Sequence, residues 1–229
     1  MSAVAPIRRC ELAAALLLAA AVQGCWRTGE PTPGPALVTW AAYPDTVRVG
    51  ETFSFEFGGP VSPTACGRLD TATLTVTDTA IELAARRSTF SAVCAPQRIS
   101  FYEARAIAIP RAGRYAVRTA EGHSLGALVA RDTGAFSRMW TIGEGTVREA
   151  AGCWLFGPGW IGSQRVFALS GAPAAVRAAA GGQRIVHVEG RLYGFTACGN
   201  WGSRPRIRVD TAWVTDRESD DWYRDGARP

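Results

Sequence analysis

A serine flanked by glycines is the feature of the sequence that most directly suggests chemistry. It lies in Gly122-His123-Ser124-Leu125-Gly126, and His187 is the only histidine that follows it. A serine hydroxyl is a weak nucleophile until a histidine takes its proton and an acid orients that histidine. The first chemistry to consider is therefore acyl transfer at Ser124.

The same stretch resembles the nucleophile elbow of the α/β-hydrolase family, which implies a serine esterase or lipase-like hydrolase that uses Ser124. That family places an acid and then a mobile histidine after the serine, but His187 lies in the alternating run 184–189, which predicts a strand interior. Residues 37–120 show no helical period long enough for the crossover helices of a parallel sheet. We therefore expect a β turn that leads into a strand over 125–130, and keep the hydrolase as the alternative function.

The N-terminal residues predict export. Arg8 and Arg9 precede an unbroken apolar segment, residues 12–22, which is about half of the ~20 residues that a membrane-spanning helix needs. A positive start, a short apolar segment and a small residue before the cleavage point are typical of a removable signal peptide. We expect this signal to cover residues 1–24.

The end of this segment, Val22-Gln23-Gly24-Cys25, resembles the lipobox of bacterial lipoproteins. The resemblance implies that Cys25 carries acyl chains and anchors the protein to a membrane. Trp26, in place of an acidic residue, then favours the outer membrane of the bacterial cell envelope. The alternative is ordinary cleavage after a small residue, which leaves Cys25 as a free thiol.

Four cysteines remain after Cys10 leaves with the signal and Cys25 takes the lipid. They are Cys66, Cys94, Cys153 and Cys198. An even number in an oxidising compartment predicts disulfides, and two cysteines in each half select Cys66 with Cys94 and Cys153 with Cys198 from three connectivities. Closely spaced ligand pairs are absent from the sequence, so we expect no metal and no cofactor.

The first half has the residue pattern of a β domain. Residues 25–36 are rich in proline and glycine and predict a tether, whereas residues 52–57 alternate so that three phenylalanines share one face. Ile109, Pro110, Gly113, Tyr115 and Val117 resemble the tyrosine-corner region of immunoglobulin-like and fibronectin-III-like sandwiches. That resemblance implies a sandwich over residues 37–131, in which the Cys66–Cys94 bridge staples loops. Residues 132–138 predict a linker.

The second half combines strands with one short helix, predicted over residues 173–180. The phrase 182–192, with Ile207 and Val209, resembles the central and closing strands of small OB-like barrels. The resemblance implies an OB-like barrel over residues 139–214, with Gly190 at a strand kink and His187 on the barrel wall. Residues 215–229 are rich in aspartate and arginine and predict a loosely docked or disordered polar tail.

Barrels of this kind usually bind along one face and its flanking loops. The candidate binding face combines three aromatic residues with three arginines: Tyr193, Phe195, Trp201, Arg204, Arg206 and Arg208. Aromatic rings beside arginines stack on sugar rings or bases and hold phosphates. The alternative is that the aromatic rings plug the barrel ends while the arginines are merely solvated.

These patterns together predict an all-β protein, an immunoglobulin-like β-sandwich followed by an OB-like β-barrel, tethered to a membrane through lipid at Cys25. The formal net charge of +5 permits weak attraction to anionic surfaces without requiring nucleic acid. Outside the cytoplasm, a glycan or an envelope protein is the favoured partner over nucleic acid. We therefore expect a non-enzymatic binding or structural role.

Overall fold

The computed structural model describes residues 30–91, 93–135, 137–158 and 165–222. The predicted signal peptide, the predicted lipid site at Cys25 and the first residues of the predicted tether lie outside the described residues. Within the described part, the chain is almost entirely β-structure arranged in two sheets. The predicted all-β class is confirmed.

The elements of the described chain follow one another with short connections. Those of the first half are β1 (Thr32–Ala36), β2 (Trp40–Pro44), β3 (Thr46–Arg48), β4 (Phe53–Ser62), β5 (Gly67–Val76), β6 (Ala80–Thr89), β7 (Ile99–Ile107), β8 (Gly113–Thr119) and β9 (Ser124–Arg131). Those of the second half are β10 (Met139–Ala150), β11 (Cys153–Pro158), β12 (Phe167–Ser170), the helix α1 (Ala174–Ala178), β13 (Arg184–Ala197), a 3-10 turn (Gly199–Trp201) and β14 (Ser203–Glu218). The helix lies within the range predicted for it.

Two sheets face each other across the first half. One has the order β1-β6-β8-β9-β3, with β5 also paired to β6, and the other contains β2, β4 and β7 at one end. The alternating phenylalanines of β4 pack between them: Phe55 and Phe57 are fully buried, and Phe55 stacks on Tyr43 at 5.0 Å between ring centroids. Burial of such rings, each worth roughly 1.5–3 kcal/mol, stabilises this core.

The tyrosine-corner residues form the hydrogen bond that the motif predicts. The Tyr115 hydroxyl donates to the carbonyl oxygen of Arg111 at 3.0 Å. Strand β8, however, pairs with β6 in parallel, whereas immunoglobulin-like sheets are antiparallel. The immunoglobulin-like assignment therefore stays a prediction.

The strands of the second half close on themselves. Antiparallel pairs join β10 to β11, β11 to β12, β14 to β13 and β13 to β10, and a parallel pair joins β12 to β14. The interior of this five-stranded ring is apolar, with Phe156, Phe167, Val186, Val188 and Ile207 buried. The ring is the closed arrangement that removes free strand edges.

Gly190 lies at an irregularity in this ring. The register of β13 with β14 shifts between Glu189 and Gly190, and a Cβ atom at Gly190 would collide with the backbone carbonyl of Arg208. A glycine is needed where two strands approach so closely. The predicted strand kink at Gly190 is confirmed.

One sheet runs through both halves of the chain. Strand β10 pairs with β13 on one side and with β2 on the other. Trp40 of β2 is 1% exposed and lies between Tyr102 of the first half and Phe167 of the second, at 6.1 and 6.0 Å between ring centroids. The two halves therefore share buried aromatic surface, and the division into two domains stays a prediction.

Both ends of the described chain are more structured than the sequence predicts. Residues Thr32–Ala36 of the predicted tether form β1, which pairs with β6, because prolines are tolerated on an edge strand. Residues 215–218 of the predicted tail extend β14, and Trp222 is 1% exposed. The prediction of a loose tail is wrong for residues 215–222, since the buried indole of Trp222 docks this segment. Residues 223–229 lie outside the described residues.

The two predicted disulfides are confirmed. Cys66 bonds to Cys94 with 5.6 Å between Cα atoms, and Cys153 bonds to Cys198 with 5.7 Å. The first bridge joins the β4–β5 turn to the β6–β7 connection, so it staples loops as expected. The second holds the β13–β14 connection over the outer side of β11 and β12, where Leu155, Val166, Ala168 and Cys198 are buried together.

Candidate functional site

The candidate binding face forms two stacked pairs at the β13–β14 connection. The Arg206 guanidinium lies 4.3 Å from the ring centroid of Tyr193, and the Arg204 guanidinium lies 5.9 Å from that of Trp201. Such cation–π contacts hold an arginine head group in place at about 0.5–2 kcal/mol each. The structure thus brings four of the six predicted residues into contact in pairs.

The other two residues of the face are exposed. The side chain of Phe195 is 71% exposed, which makes it one of the most exposed large apolar residues of the described chain. Arg208 has a side chain that is 67% exposed, with Asp210 3.9 Å away. Trp201, in contrast, packs against the buried cluster beside Cys198. Trp201 therefore packs on the outer side of β11 and β12, whereas Phe195 stays exposed.

An open groove of about 490 Å³ lies beside Phe195. Its lining consists of Arg138, Met139, Arg165, Leu192, Tyr193, Gly194, Phe195 and Pro205. Among the described residues of this lining, two are arginines and none carries a carboxylate. The groove therefore offers aromatic and apolar surface together with positive charge.

Arg165 is held at the groove by a buried carboxylate. Its Nη2 lies 3.0 Å from Oε2 of Glu56, and its guanidinium lies over the rings of Phe167 and Tyr102 at 5.3 and 5.8 Å. Glu56 is 8% exposed. Burial raises the pKa of Glu56, an effect that outweighs the opposing influence of Arg165 and the Tyr102 hydroxyl.

This raised pKa predicts a pH dependence of stability. A carboxyl whose pKa is raised in the folded state binds its proton more tightly there than in the unfolded chain. The free energy of unfolding therefore falls as the pH rises from 4.5, the ordinary pKa of the group, through the raised pKa of Glu56. We expect Glu56→Gln to reduce this fall, measured by urea denaturation at a series of pH values. The exposed Glu51→Gln serves as the control and should leave the slope unchanged. Equal slopes for Glu56→Gln and the parent protein would contradict the prediction.

A second concave feature is a cleft of about 230 Å³. Its polar lining comprises Thr39, His123, Ser124, Glu144, His187 and Arg217, and its apolar lining includes Leu37, Val38 and Leu125. Ser124 and both histidines of the chain therefore meet in one cleft. They come from different halves and different sheets, Ser124 from β9 and His187 from β13. The packing of β9 against β2 and β10, at Tyr43 and Ile142, brings them together.

Ser124 does not occupy a strand-to-helix elbow. It opens β9, and its Oγ accepts a hydrogen bond from the backbone N–H of Gly126 at 3.4 Å. Gly122 and Gly126 have φ values of +88° and +94°, a backbone region that favours glycine. The Tyr43 hydroxyl donates to the carbonyl of Leu125 at 2.6 Å. The expected β turn followed by a strand is confirmed, and it accounts for the spacing of the two glycines.

His187 lies on β13, a strand of the five-stranded ring. Its Nε2 is 3.0 Å from Oε1 of Glu189, and its ring stacks on Trp213 with 4.0 Å between centroids. Glu144 is its cross-strand partner on β10. The imidazole is therefore held in one orientation by a carboxylate and an indole.

Sequence reasoning missed the charged pair of the cleft. Nη1 of Arg217 and Nε1 of Trp222 donate to Oε2 of Glu144 at 3.3 and 3.4 Å. Arg217 and Trp222 fall in the predicted polar tail, although Trp213, Thr215 and Arg217 share a period of two that continues the strand. This alternation is the feature of the sequence that predicts a strand through Arg217.

Comparison with known proteins gives no family: the chain matches no protein-family model, and no curated protein or solved structure is significantly similar to it. Within the ranges that the structure describes, no three histidine, cysteine or carboxylate residues are grouped to hold a metal ion. No helix in those ranges has the length and hydropathy needed to cross a membrane. A functional proposal must therefore start from the groove and the cleft.

Proposed function

We propose that the protein is a lipid-anchored, non-enzymatic binding protein of the bacterial cell envelope, attached through Cys25 and holding an acidic glycan on its candidate binding face. The signal pattern and the two disulfides support an oxidising, exported location. An OB-like identity of the second half is supported by its pairing order, with a parallel β12–β14 pair and a helix between β12 and β13. The Tyr115 hydrogen bond supports an immunoglobulin-like first half.

The exposure of Phe195 beside the Tyr193–Arg206 stack is the observation that carries this proposal. An exposed aromatic ring next to a groove offers a stacking platform for a sugar ring, and stacked rings contribute roughly 1–3 kcal/mol each in single-strand binding. Arg138 and Arg165 line the same groove, and no carboxylate is among its described lining residues; Glu56, which pairs with Arg165, is 8% exposed. A glycan that carries carboxylates fits both features.

Binding to polygalacturonate, with neutral dextran as the comparison, tests the ligand class on mature protein extracted from bacterial membranes. We expect the acidic polymer to bind more tightly, and affinity to fall about 10-fold in Phe195→Ala, as loss of one stacked ring predicts. Arg206→Ala should also weaken binding, and more so at low salt.

Two surface variants control for unspecific effects. Val93 is 98% exposed and Arg86 lies exposed on the other sheet, so Val93→Ala and Arg86→Ala should bind as the parent does. Equal affinity for both polymers, or Phe195→Ala binding like the parent, would contradict the proposal. Crosslinking at Phe195 to another envelope protein would show that this face binds a protein and not a glycan.

Mass analysis of the peptide that contains Cys25 tests whether this cysteine carries the proposed lipid anchor.

A serine hydrolase is the second candidate, because Ser124 and His187 line the same cleft. Against it, the Ser124 hydroxyl accepts from a backbone N–H and Nε2 of His187 already contacts Glu189. A catalytic serine needs its histidine within hydrogen-bond reach. Ester hydrolysis by the purified protein that disappears in Ser124→Ala would establish this activity.

A further inference from the structure

The cleft that contains both histidines has a fixed shape. Glu144 is held by Arg217 and Trp222, and its backbone N–H donates to the carbonyl of Thr39 at 2.9 Å. His187 is held by Glu189 and Trp213. Polar groups that the protein already positions lose little freedom when a ligand arrives, which favours binding.

The charges of the described lining cancel. Among the described residues that line the cleft, Arg217 and Glu144 are the charged ones, and they lie 3.3 Å apart. A charged ligand would leave its own charge without a dedicated partner where it contacts the apolar wall of the cleft, at a cost in desolvation. The cleft therefore suits a neutral ligand, in contrast to the arginine-lined groove.

The remaining hydrogen-bonding groups both donate and accept. Ser124 Oγ accepts from Gly126 and retains a proton to donate, and His187 retains the ring nitrogen that does not contact Glu189. His123 is exposed beside them. Hydroxyl groups, which also donate and accept, are the matching ligand groups.

The size of the cleft and its apolar wall further restrict the class of ligand that fits. A volume of about 230 Å³ corresponds to roughly seven or eight water molecules at ~30 Å³ each, enough for one six-membered ring with its substituents. Leu37, Val38 and Leu125 supply an apolar wall, against which the C–H face of a sugar ring packs.

We propose that this cleft is a binding site for a single neutral sugar unit, contacted by Ser124, His123 and His187 and packed against Leu37, Val38 and Leu125. The site is separate from the groove at Phe195 and depends on neither the lipid anchor nor the acidic-glycan proposal. It assigns Ser124 and His187 to ligand binding.

The chain has only 2 histidines, and both line this cleft. Imidazole NMR signals of the full mature chain therefore report on the cleft directly. We expect titration with neutral methyl glucoside, mannoside, galactoside or N-acetylglucosaminide to shift the signals of both rings saturably for at least one sugar. Absence of any shift, or a shift with glucuronate alone, would overturn the proposal.

Two variants of Ser124, with a variant of an exposed serine as the control, complete the test. Ser124→Ala should raise the sugar Kd about 5-fold, as the loss of a hydrogen bond of ~1 kcal/mol predicts, and Ser124→Trp should abolish the shifts by filling the cleft. Ser203→Ala, at an exposed serine of β14 outside the described cleft lining, should leave them unchanged. Unaltered binding in Ser124→Ala, judged folded by its dispersed imidazole signals, would also overturn the proposal.

Discussion

Replacing Trp40 with alanine should lower the free energy of unfolding by about 3–5 kcal/mol. The indole is 1% exposed and packs against Tyr102 of the first half and Phe167 of the second. The backbone at Gly58 and Gly143 approaches Trp40 so closely that a Cβ atom at either glycine would collide with it. Removal of the indole therefore leaves a cavity on which both halves border, and urea denaturation measures the loss.

Trp213→Ala is the matched control, because this tryptophan is 46% exposed. We expect a clearly smaller loss of unfolding free energy from it, since less apolar area leaves water when the protein folds. Tryptophan fluorescence and circular dichroism should show one shared transition in the parent protein, because buried aromatic surface joins the halves. Equal losses in the two variants would contradict this account of Trp40.

Removing the second disulfide, as Cys153→Ala with Cys198→Ala, should cost about 4 kcal/mol, as expected for a sequence separation of 45 residues. Removing the first, as Cys66→Ala with Cys94→Ala, should cost slightly less, because 28 residues separate its cysteines. Chemical denaturation of each double variant, with the remaining bridge verified by mass, provides the measurement. A loss below about 1 kcal/mol would contradict a structural role for the bridge.

The two bridges should differ in their effect on binding. The Cys153–Cys198 bridge holds the connection that carries Trp201 and follows the end of β13, where Phe195 lies, so its removal should weaken ligand binding at the candidate face as well as stability. The Cys66–Cys94 bridge staples loops of the other half. Its removal therefore serves as the control in the same binding assay, with stability lowered and binding retained.

The two proposed sites bind different ligands: the groove an acidic glycan and the cleft a neutral sugar. The groove combines an exposed ring with two arginines, and the cleft combines a paired charge with hydroxyl and imidazole groups. Acidic polymer binding addresses the first and neutral sugar binding the second. Each result therefore bears on one site without deciding the other.

The all-β class was predictable because strand alternation is a local pattern. The three phenylalanines of β4, the short helix near Val176 and the kink at Gly190 each depend on neighbouring residues. The disulfide pairing also followed from sequence, because each bridge lies within one half of the chain. The alternating run around His187 and the lack of a helical period in residues 37–120 similarly favoured a turn over a hydrolase elbow.

The sequence by itself thus determined most of the strands, the two bridges and the aromatic and arginine residues that flank the β13–β14 connection. Only the tertiary structure decided that β10 pairs with β2, that the C-terminal segment docks through Trp222, and that Ser124 meets His187 in one cleft. Pairing between distant strands depends on which edges remain free after local folding, a property of the whole sheet. No local pattern around Ser124 or His187 carries that information.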